Sequence, residues 1–344
     1  MADGYPAAGI SKTKLKVFGT FICGGGSTMG YKLAGFNHIG GVEIDPKIAD
    51  VYQSNHKPNY LFVEDIREFI KRENKPKELF NLDILDGSPP CSSFSMAGNR
   101  EKDWGKEKIF KEGQTKQVLD DLFFEFIKLA KELQPKVVIA ENVKGLIQGN
   151  AKLYVKRIFK EFDEAGYKVQ LFLLNASTMG VPQKRERVFF ICHRKDLNFP
   201  KLTLNFNEKP ILFSEVKEVN CKSKECFQFP KSEAERLALV EYGDRNLVNA
   251  DKKMRGNDKN AFFNQTLVYD NGIMGTITGQ EKSFVFSEKR RLSYKEIKLC
   301  GSYPLDYDFR NTDSNYLIGM SVPPVMTAQI ANKIKVQWFK IPNQ

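Results

Sequence analysis

A doubly wound α/β architecture with a mostly parallel sheet is the fold class this sequence predicts, and three observations predict it. From Leu15 to Cys192, short apolar runs of strand length alternate with stretches of helical periodicity. Several of those runs stop at acidic or amide residues, namely Glu43, Asp65 and Glu141-Asn142. The first run leads into a glycine-rich turn and then a helix-like stretch. That order brings a nucleotide-type ligand against backbone N–H groups and a helix N-terminus.

Taken in chain order, Leu15 to Ile22 reads as a buried strand, followed by Cys23-Gly24-Gly25-Gly26-Ser27-Thr28 and a helix to Ala34. A second strand, His38 to Val42, ends in Glu43-Ile44-Asp45. An acid about 20 positions after a glycine turn commonly binds ribose hydroxyls. The short run Tyr60 to Val63 is followed by Asp65 and Ile66. Each of these carboxylates, alone, also reads as a solvated strand end.

The apolar run Leu82 to Leu85 ends in Asp86-Gly87-Ser88-Pro89-Pro90-Cys91. Two prolines fix φ just before the cysteine, so the turn presents its thiol in few ways. A reactive thiol is one reading, and a small buried residue at a strand end is the other. From Met96 to Gln117 the chain is hydrophilic, with Arg100, Lys102, Lys106, Lys108 and Lys111; it reads either as a basic segment closing over a substrate or as a solvated loop. From Val118 apolar residues including Leu119, Leu122, Phe126 and Leu133 recur at helical spacing until Pro135. A strand, Lys136 to Ala140, then stops at Glu141-Asn142-Val143. A helix around Tyr154 to Ala165, a strand around Tyr167 to Leu174, the polar run Gln183-Lys184-Arg185-Glu186-Arg187 and the strand Val188 to Cys192 continue the alternation.

After Leu197 helical periodicity fades and short β-like runs enter, such as Gly275 to Thr278 and Phe284 to Phe286. A second domain is expected over 198–290. Cys221 and Cys226 form a Cys-x4-Cys pair with no second pair after it, so no metal is expected there. Leu292 to Cys300 reads as helix, and Ser321-Val322-Pro323-Pro324 opens a final helix, Val325 to Ile334, returning to the first domain's core. The expected division is 1–197 with 317–344, then 198–290, with 291–316 as a hinge.

The 344 residues suffice for one large and one smaller domain. No apolar stretch approaches the ~20 residues that cross a bilayer, and Met1 to Ser11 lacks the pattern of a secretory leader, so a cytoplasmic chain, or a nuclear one if the source is eukaryotic, with no membrane partner is expected. Six scattered cysteines fit a reducing compartment. The net charge of +11 favours a polyanionic partner such as nucleic acid, although lysine-rich proteins without one also carry such charge.

Taken together, Phe21 with its glycine turn, Glu43, Asp65, Pro89-Pro90-Cys91, Glu141-Asn142-Val143, the run from Gln183 to Arg187, Arg291-Leu292-Ser293 and Gly319 with Val322 resemble the DNA (cytosine-5) methyltransferases. The resemblance covers nearly all of the chain except about 198 to 270. It implies a Rossmann-like lobe that binds S-adenosylmethionine, a smaller target-recognition lobe over 198–290, and a last helix that completes the large lobe. It also implies double-stranded DNA as substrate, a monomer, and, in a restriction–modification setting, a cognate endonuclease acting separately.

By the same resemblance Cys91 is the nucleophile that adds to cytosine carbon 6, and Glu141 supports the ring at N3. Asn142 holds the loop, and Arg187 with Arg185 donates to the cytosine carbonyl. Phe21, Gly25, Glu43, Ile44, Asp65, Ile66, Pro90 and Leu122 are implied for the cofactor, and Thr276, Gln183 and Arg100 for DNA. A duplex base must be flipped out to be reached. The chain departs from the family pattern at Cys23, where glycine is usual, at Ser92-Ser93, and at Met320 in place of an asparagine. The tRNA cytosine methyltransferases and a DNA-binding regulator with a decayed cofactor site are the alternatives. The Cys-Phe-Thr signature of the tRNA branch is absent, and Ser-Pro-Pro-Cys replaces the motif of adenine methylation.

Overall fold

The computed structural model describes residues 13–90, 121–148, 151–256, 262–280 and 282–341. These pack into two compact units, a large one comprising 13–175, 186–205 and 326–341 and a small one comprising 176–185 and 206–325, less the undescribed stretches.

In the large unit β1 (Lys16–Thr20), α1 (Gly26–Leu33), β2 (Asn37–Glu43), α2 (Pro46–His56), β3 (Tyr60–Val63), α3 (Ile66–Lys71), β4 (Ile84–Gly87), α4 (Leu122–Leu133), β5 (Val137–Val143), α5 (Lys152–Glu164), β6 (Tyr167–Asn175) and β7 (Glu186–Arg194) follow in order. They build a seven-stranded sheet of order β3-β2-β1-β4-β5-β7-β6. Strands β3 through β5 are parallel, while β7 runs antiparallel to both β5 and β6. The order reverses at β1 and β4, and doubly wound sheets bind ligands in the crevice at such a switch point.

Consecutive residues such as Val17 and Phe18 or Ile84 and Leu85 are all fully buried, as expected for strands covered on both faces. One face packs Phe18, Leu85, Val138 and Phe190 against Phe69 of α3, Phe123 and Phe126 of α4 and Phe162 of α5. A bulge in β2 shifts the register after Val17, and Gly40 there has φ 147 with Tyr60 O where a Cβ would stand, so only glycine fits.

Helices α2 and α3 were not expected from periodicity. Their start signals are nevertheless local: Asp45 accepts from Lys47 N and Ile48 N ahead of Pro46, and Asp65 accepts from Arg67 N. Strand β1 stops at Thr20 rather than Ile22 because Phe21 turns left-handed at φ 52. Strand β5 does not stop at Ala140; its pairing with β7 carries it through Glu141, Asn142 and Val143.

The small unit holds α6 (Phe213–Val216), α7 (Lys231–Ala238), α8 (Val248–Arg255), β8 (Gln265–Val268), β9 (Lys282–Val285), β10 (Arg290–Arg291), α9 (Tyr294–Cys300) and α10 (Ser314–Met320). Strands β8 to β10 form a second sheet around Phe284. Gly275 to Thr278, expected as a strand, is not one: Met274 bridges Gln183, and Ile277 N donates to Gln183 Oε1. The segment 291–325 packs with the small unit, beyond the limits 198–290 read from composition. Here Arg290 makes a fully buried ion pair with Glu296 of α9, tying that helix to β10.

The last helix, α11 (Pro324–Gln337), lies in the large unit from Met326 onward. Met326, Ile330, Ala331 and Ile334 are buried, Lys335 Nζ donates to Ala34 O, and Trp338 stacks on Phe199.

Candidate active site

Two groups of expected residues stand at the C-terminal ends of the large unit's parallel strands. The first surrounds the turn after β1. Phe21, Cys23 and Gly25 have φ 52, 48 and 89, so three residues of five are left-handed and the chain doubles back before α1. Glycine accommodates this without strain; at Cys23 it costs about 1 kcal/mol. The bend directs Cys23 N to Glu43 Oε2 at 2.9 Å, while Glu43 Oε1 accepts from Ile44 N at 2.9 Å and Asp45 N at 3.1 Å. Three backbone donors thus fix one carboxylate at the end of β2.

Burial nonetheless dominates and pushes the Glu43 carboxyl up to about 7, against those hydrogen bonds. One strand over, Asp65 caps α3 and pairs with Arg67 Nη1 at 3.1 Å. Ile66 and Leu122, expected at the cofactor, turn their side chains into the core, whereas Ile44 and Pro90 remain partly exposed.

The second group gathers where β4 and β5 end. Asn142 Nδ2 donates to Pro89 O at 3.1 Å, and Asn142 Oδ1 accepts from Val143 N, which anchors the Pro89-Pro90 turn to β5. Glu141 Oε1 meets Arg187 Nε at 2.9 Å, with both side chains nearly buried. Burial draws the guanidinium below its ordinary value, and Glu141 acts in the opposite direction. Cys91 and Arg100 lie outside the described residues.

Asp86, to which the sequence alone assigned no role, also belongs here. It is buried at the end of β4, and Tyr31 OH donates to its Oδ1 at 3.0 Å. Burial first, with the nearby Glu141 in support, lifts its carboxyl to about 7 against the hydrogen bonds of Tyr31 and Ser27. The available signal was its position, an acid at a strand end beside the glycine turn.

Arg185 and Gln183 are placed differently from expectation. Both are in the small unit and almost fully buried. Arg185 Nη1 donates to Ile277 O at 2.8 Å, and its Nη2 donates to Gly319 O at 2.7 Å and Ser321 O at 2.9 Å. Gln183 Nε2 donates to Cys300 O while its Oε1 accepts from Ile277 N. The resemblance pointed these side chains at cytosine and DNA; in the structure both clamp the backbone of the small unit, because its loops present buried carbonyls that need donors. Gly319 admits this packing, since a Cβ there would stand 2.4 Å from the Thr278 backbone. Thr276 is half-buried and donates to Lys184 O. The Cys221 and Cys226 sulfurs contact each other at 3.0 Å.

The sequence profile of C-5 cytosine-specific DNA methylases matches residues 15–336. The chain belongs to this family. It is 30% identical to the Type II methyltransferase M.FnuDI of Fusobacterium nucleatum, over 93% of this chain and 94% of that one. It is 27% identical to the Type II methyltransferase M1.HphI of Haemophilus parahaemolyticus, over 90% of this chain and 84% of that one. Among solved structures, the fold matches a prophage-encoded protein of E. coli described as a DNA modification methyltransferase, with TM-score 0.70, 20% identity and coverage of 94% and 99%. A variant of Spodoptera frugiperda DNMT2 matches at TM-score 0.63 and 18% identity, covering 93% and 99%.

As a member of this family the chain is a DNA cytosine-5 methyltransferase with S-adenosylmethionine as methyl donor. The residues present fit that cofactor. Glu43 is a desolvated acceptor for a diol, and buried Asp45 Oδ2 is an acceptor with no hydrogen-bond partner among the described residues. Among the described residues, no helix is long and apolar enough to cross a membrane.

Proposed function

We propose that this methyltransferase acts on a cytosine flipped out of a specific duplex sequence, through a transient bond between Cys91 and the base. The observation that carries this reading is the Glu141–Arg187 pair, held beside the Pro89-Pro90 turn by Asn142. That turn leads directly into Cys91.

Carbon 5 of cytosine is a weak nucleophile until a thiolate adds to carbon 6. Cys91 forms that bond, and the electron pair of the ring double bond moves toward N3 and the carbonyl. Glu141 delivers a proton at N3, while Arg187 orients the Glu141 carboxyl and donates to the carbonyl oxygen. When bound, S-adenosylmethionine supplies an electrophilic methyl group. Glu43 would take the ribose hydroxyls, and Phe21, Gly25, Ile44, Asp65 and Pro90 would enclose the adenosyl part. Once carbon 5 carries the methyl group, the N3 proton returns to Glu141, and removal of the carbon 5 proton expels Cys91 as the thiolate and restores the ring.

Extruding the base costs a few kcal/mol, which phosphate contacts offset. The excess of basic residues supports such contacts, with Arg100 and Thr276 among them. The target-recognition role falls to 198–290, most of which lies in the small unit together with 291–325, and the catalytic role falls to the large unit. The names of the relatives support a type II modification role, in which a separate endonuclease cuts the same unmodified sequence.

A duplex carrying 5-fluorocytosine tests the mechanism, because fluorine blocks the final elimination. The wild-type protein should form a denaturation-resistant adduct that Cys91→Ser cannot form. Labelled methyl transfer should favour duplex DNA over tRNA, and bisulfite sequencing of the product should show one recurring sequence. An adduct retained by Cys91→Ser would refute the assigned nucleophile.

A further inference from the structure

We propose that Asp86 is a cofactor-binding residue whose carboxylate takes the α-ammonium group at the methionyl end of S-adenosylmethionine. This rests on the adenosyl part lying at Glu43 and Asp65. Asp86 sits at the switch point of the sheet, paired in register with Gly19 of β1, and its backbone carbonyl accepts from Thr20 Oγ1. Its side chain faces α1, the helix that the cofactor turn opens. Tyr31 of that helix donates to it, and Ser27 in the first turn supports its ionised form.

Among the described residues the charge around it is unbalanced: the groups acting on Asp86 are Tyr31 and Ser27, two neutral donors, and Glu141, a second acid, while Tyr52 is affected by it in turn and is also neutral. A buried carboxylate surrounded in this way is costly, and a cation brought by a ligand stabilises it. Burial at this position, with Glu141 nearby, lifts the carboxyl to about 7. The cofactor carries two positive centres, the sulfonium and the α-ammonium. Only the ammonium has N–H donors to complete a hydrogen-bonded pair with the carboxylate oxygens beside Tyr31.

Calorimetric binding separates the possibilities without relying on turnover. The wild-type protein and Asp86→Asn are titrated with S-adenosylmethionine, S-adenosylhomocysteine, the analogue of the latter lacking only its α-amino group, and methylthioadenosine. The wild-type protein should bind S-adenosylhomocysteine about 10- to 100-fold more tightly than the desamino analogue, the range of a hydrogen bond to a charged group. In Asp86→Asn that ratio should fall to near one, with methylthioadenosine affinity unchanged. Glu43 titrates in the same range as Asp86, so the ligand series rather than a pH profile is the readout.

An unchanged ratio in Asp86→Asn overturns the proposal. So does a loss confined to S-adenosylmethionine, which would place the carboxylate at the sulfonium. Failure of the wild-type protein to bind methylthioadenosine would sink the adenosyl assignment itself. Tyr31→Phe, which removes only the hydroxyl orienting Asp86, is the second variant, and it should lower the same ratio several-fold.

Discussion

Replacing Glu43 with glutamine tests whether a buried, ionisable carboxylate is held at the end of β2 for a ligand. Its carboxyl titrates at about 7 in the folded protein, against 4.5 for the free side chain. The folded state therefore binds this proton more tightly. The stabilisation from this group is complete below pH 4.5 and is lost as pH rises through about 7. Between pH 5 and pH 8 the two values imply a loss of about 2.5 kcal/mol, using about 1.4 kcal/mol per pKa unit and allowing for partial titration at both limits.

Glu43→Gln removes that dependence. It also turns an amide N–H₂ toward Cys23 N or displaces it, at a pH-independent cost of about 1–3 kcal/mol. Urea unfolding of both proteins at several pH values from 5 to 8 measures the difference. The variant should be the less stable protein at pH 5, and the gap should move in its favour by about 2.5 kcal/mol by pH 8. Its affinity for S-adenosylhomocysteine should fall at every pH, because an amide offers one acceptor where the carboxylate offered two. A stability gap that stays constant across this range would refute the reasoning.

Glu141→Gln should reduce methyl transfer by roughly 10²- to 10⁴-fold, the usual range for a lost general acid, while calorimetry finds S-adenosylhomocysteine binding within about twofold of wild type. A loss of binding as large as the loss of turnover would contradict the assigned role. Arg185→Met leaves three buried carbonyls without their charged donor, so urea unfolding should show a destabilisation of at least about 4 kcal/mol; a change below about 1 kcal/mol would show that the clamp carries no weight. Asn142→Ala frees Pro89 O and should cost about 1–2 kcal/mol of stability, and the yield of 5-fluorocytosine adduct should fall with it.

Much of the site was local enough to be read from the chain. Glu43, Asp65, Glu141 and the Pro89-Pro90 turn stand at strand ends because buried parallel strands are apolar runs and ligands meet such sheets where those runs stop. The αβ alternation and its parallel sheet follow from the same pattern. Helices α2 and α3 were also written locally, in Asp45-Pro46 and Asp65, although short helices of mixed polarity carry little periodicity.

Other features were decided by tertiary packing. Arg185 and Arg187 are two positions apart in the chain, yet one clamps carbonyls in the small unit while the other pairs with Glu141 in the large one. The chain crosses between units just there, and which way a guanidinium turns depends on where unpaired acceptors lie, not on its neighbours in sequence. Strand β5 continues through Glu141 because β7, nearly fifty residues later, supplies its hydrogen-bonding partner. Residue type and order thus set which chemistry was available. The long-range pairing of strands and the burial of charge determined which of those side chains meet, since these energies depend on distance and solvent exclusion.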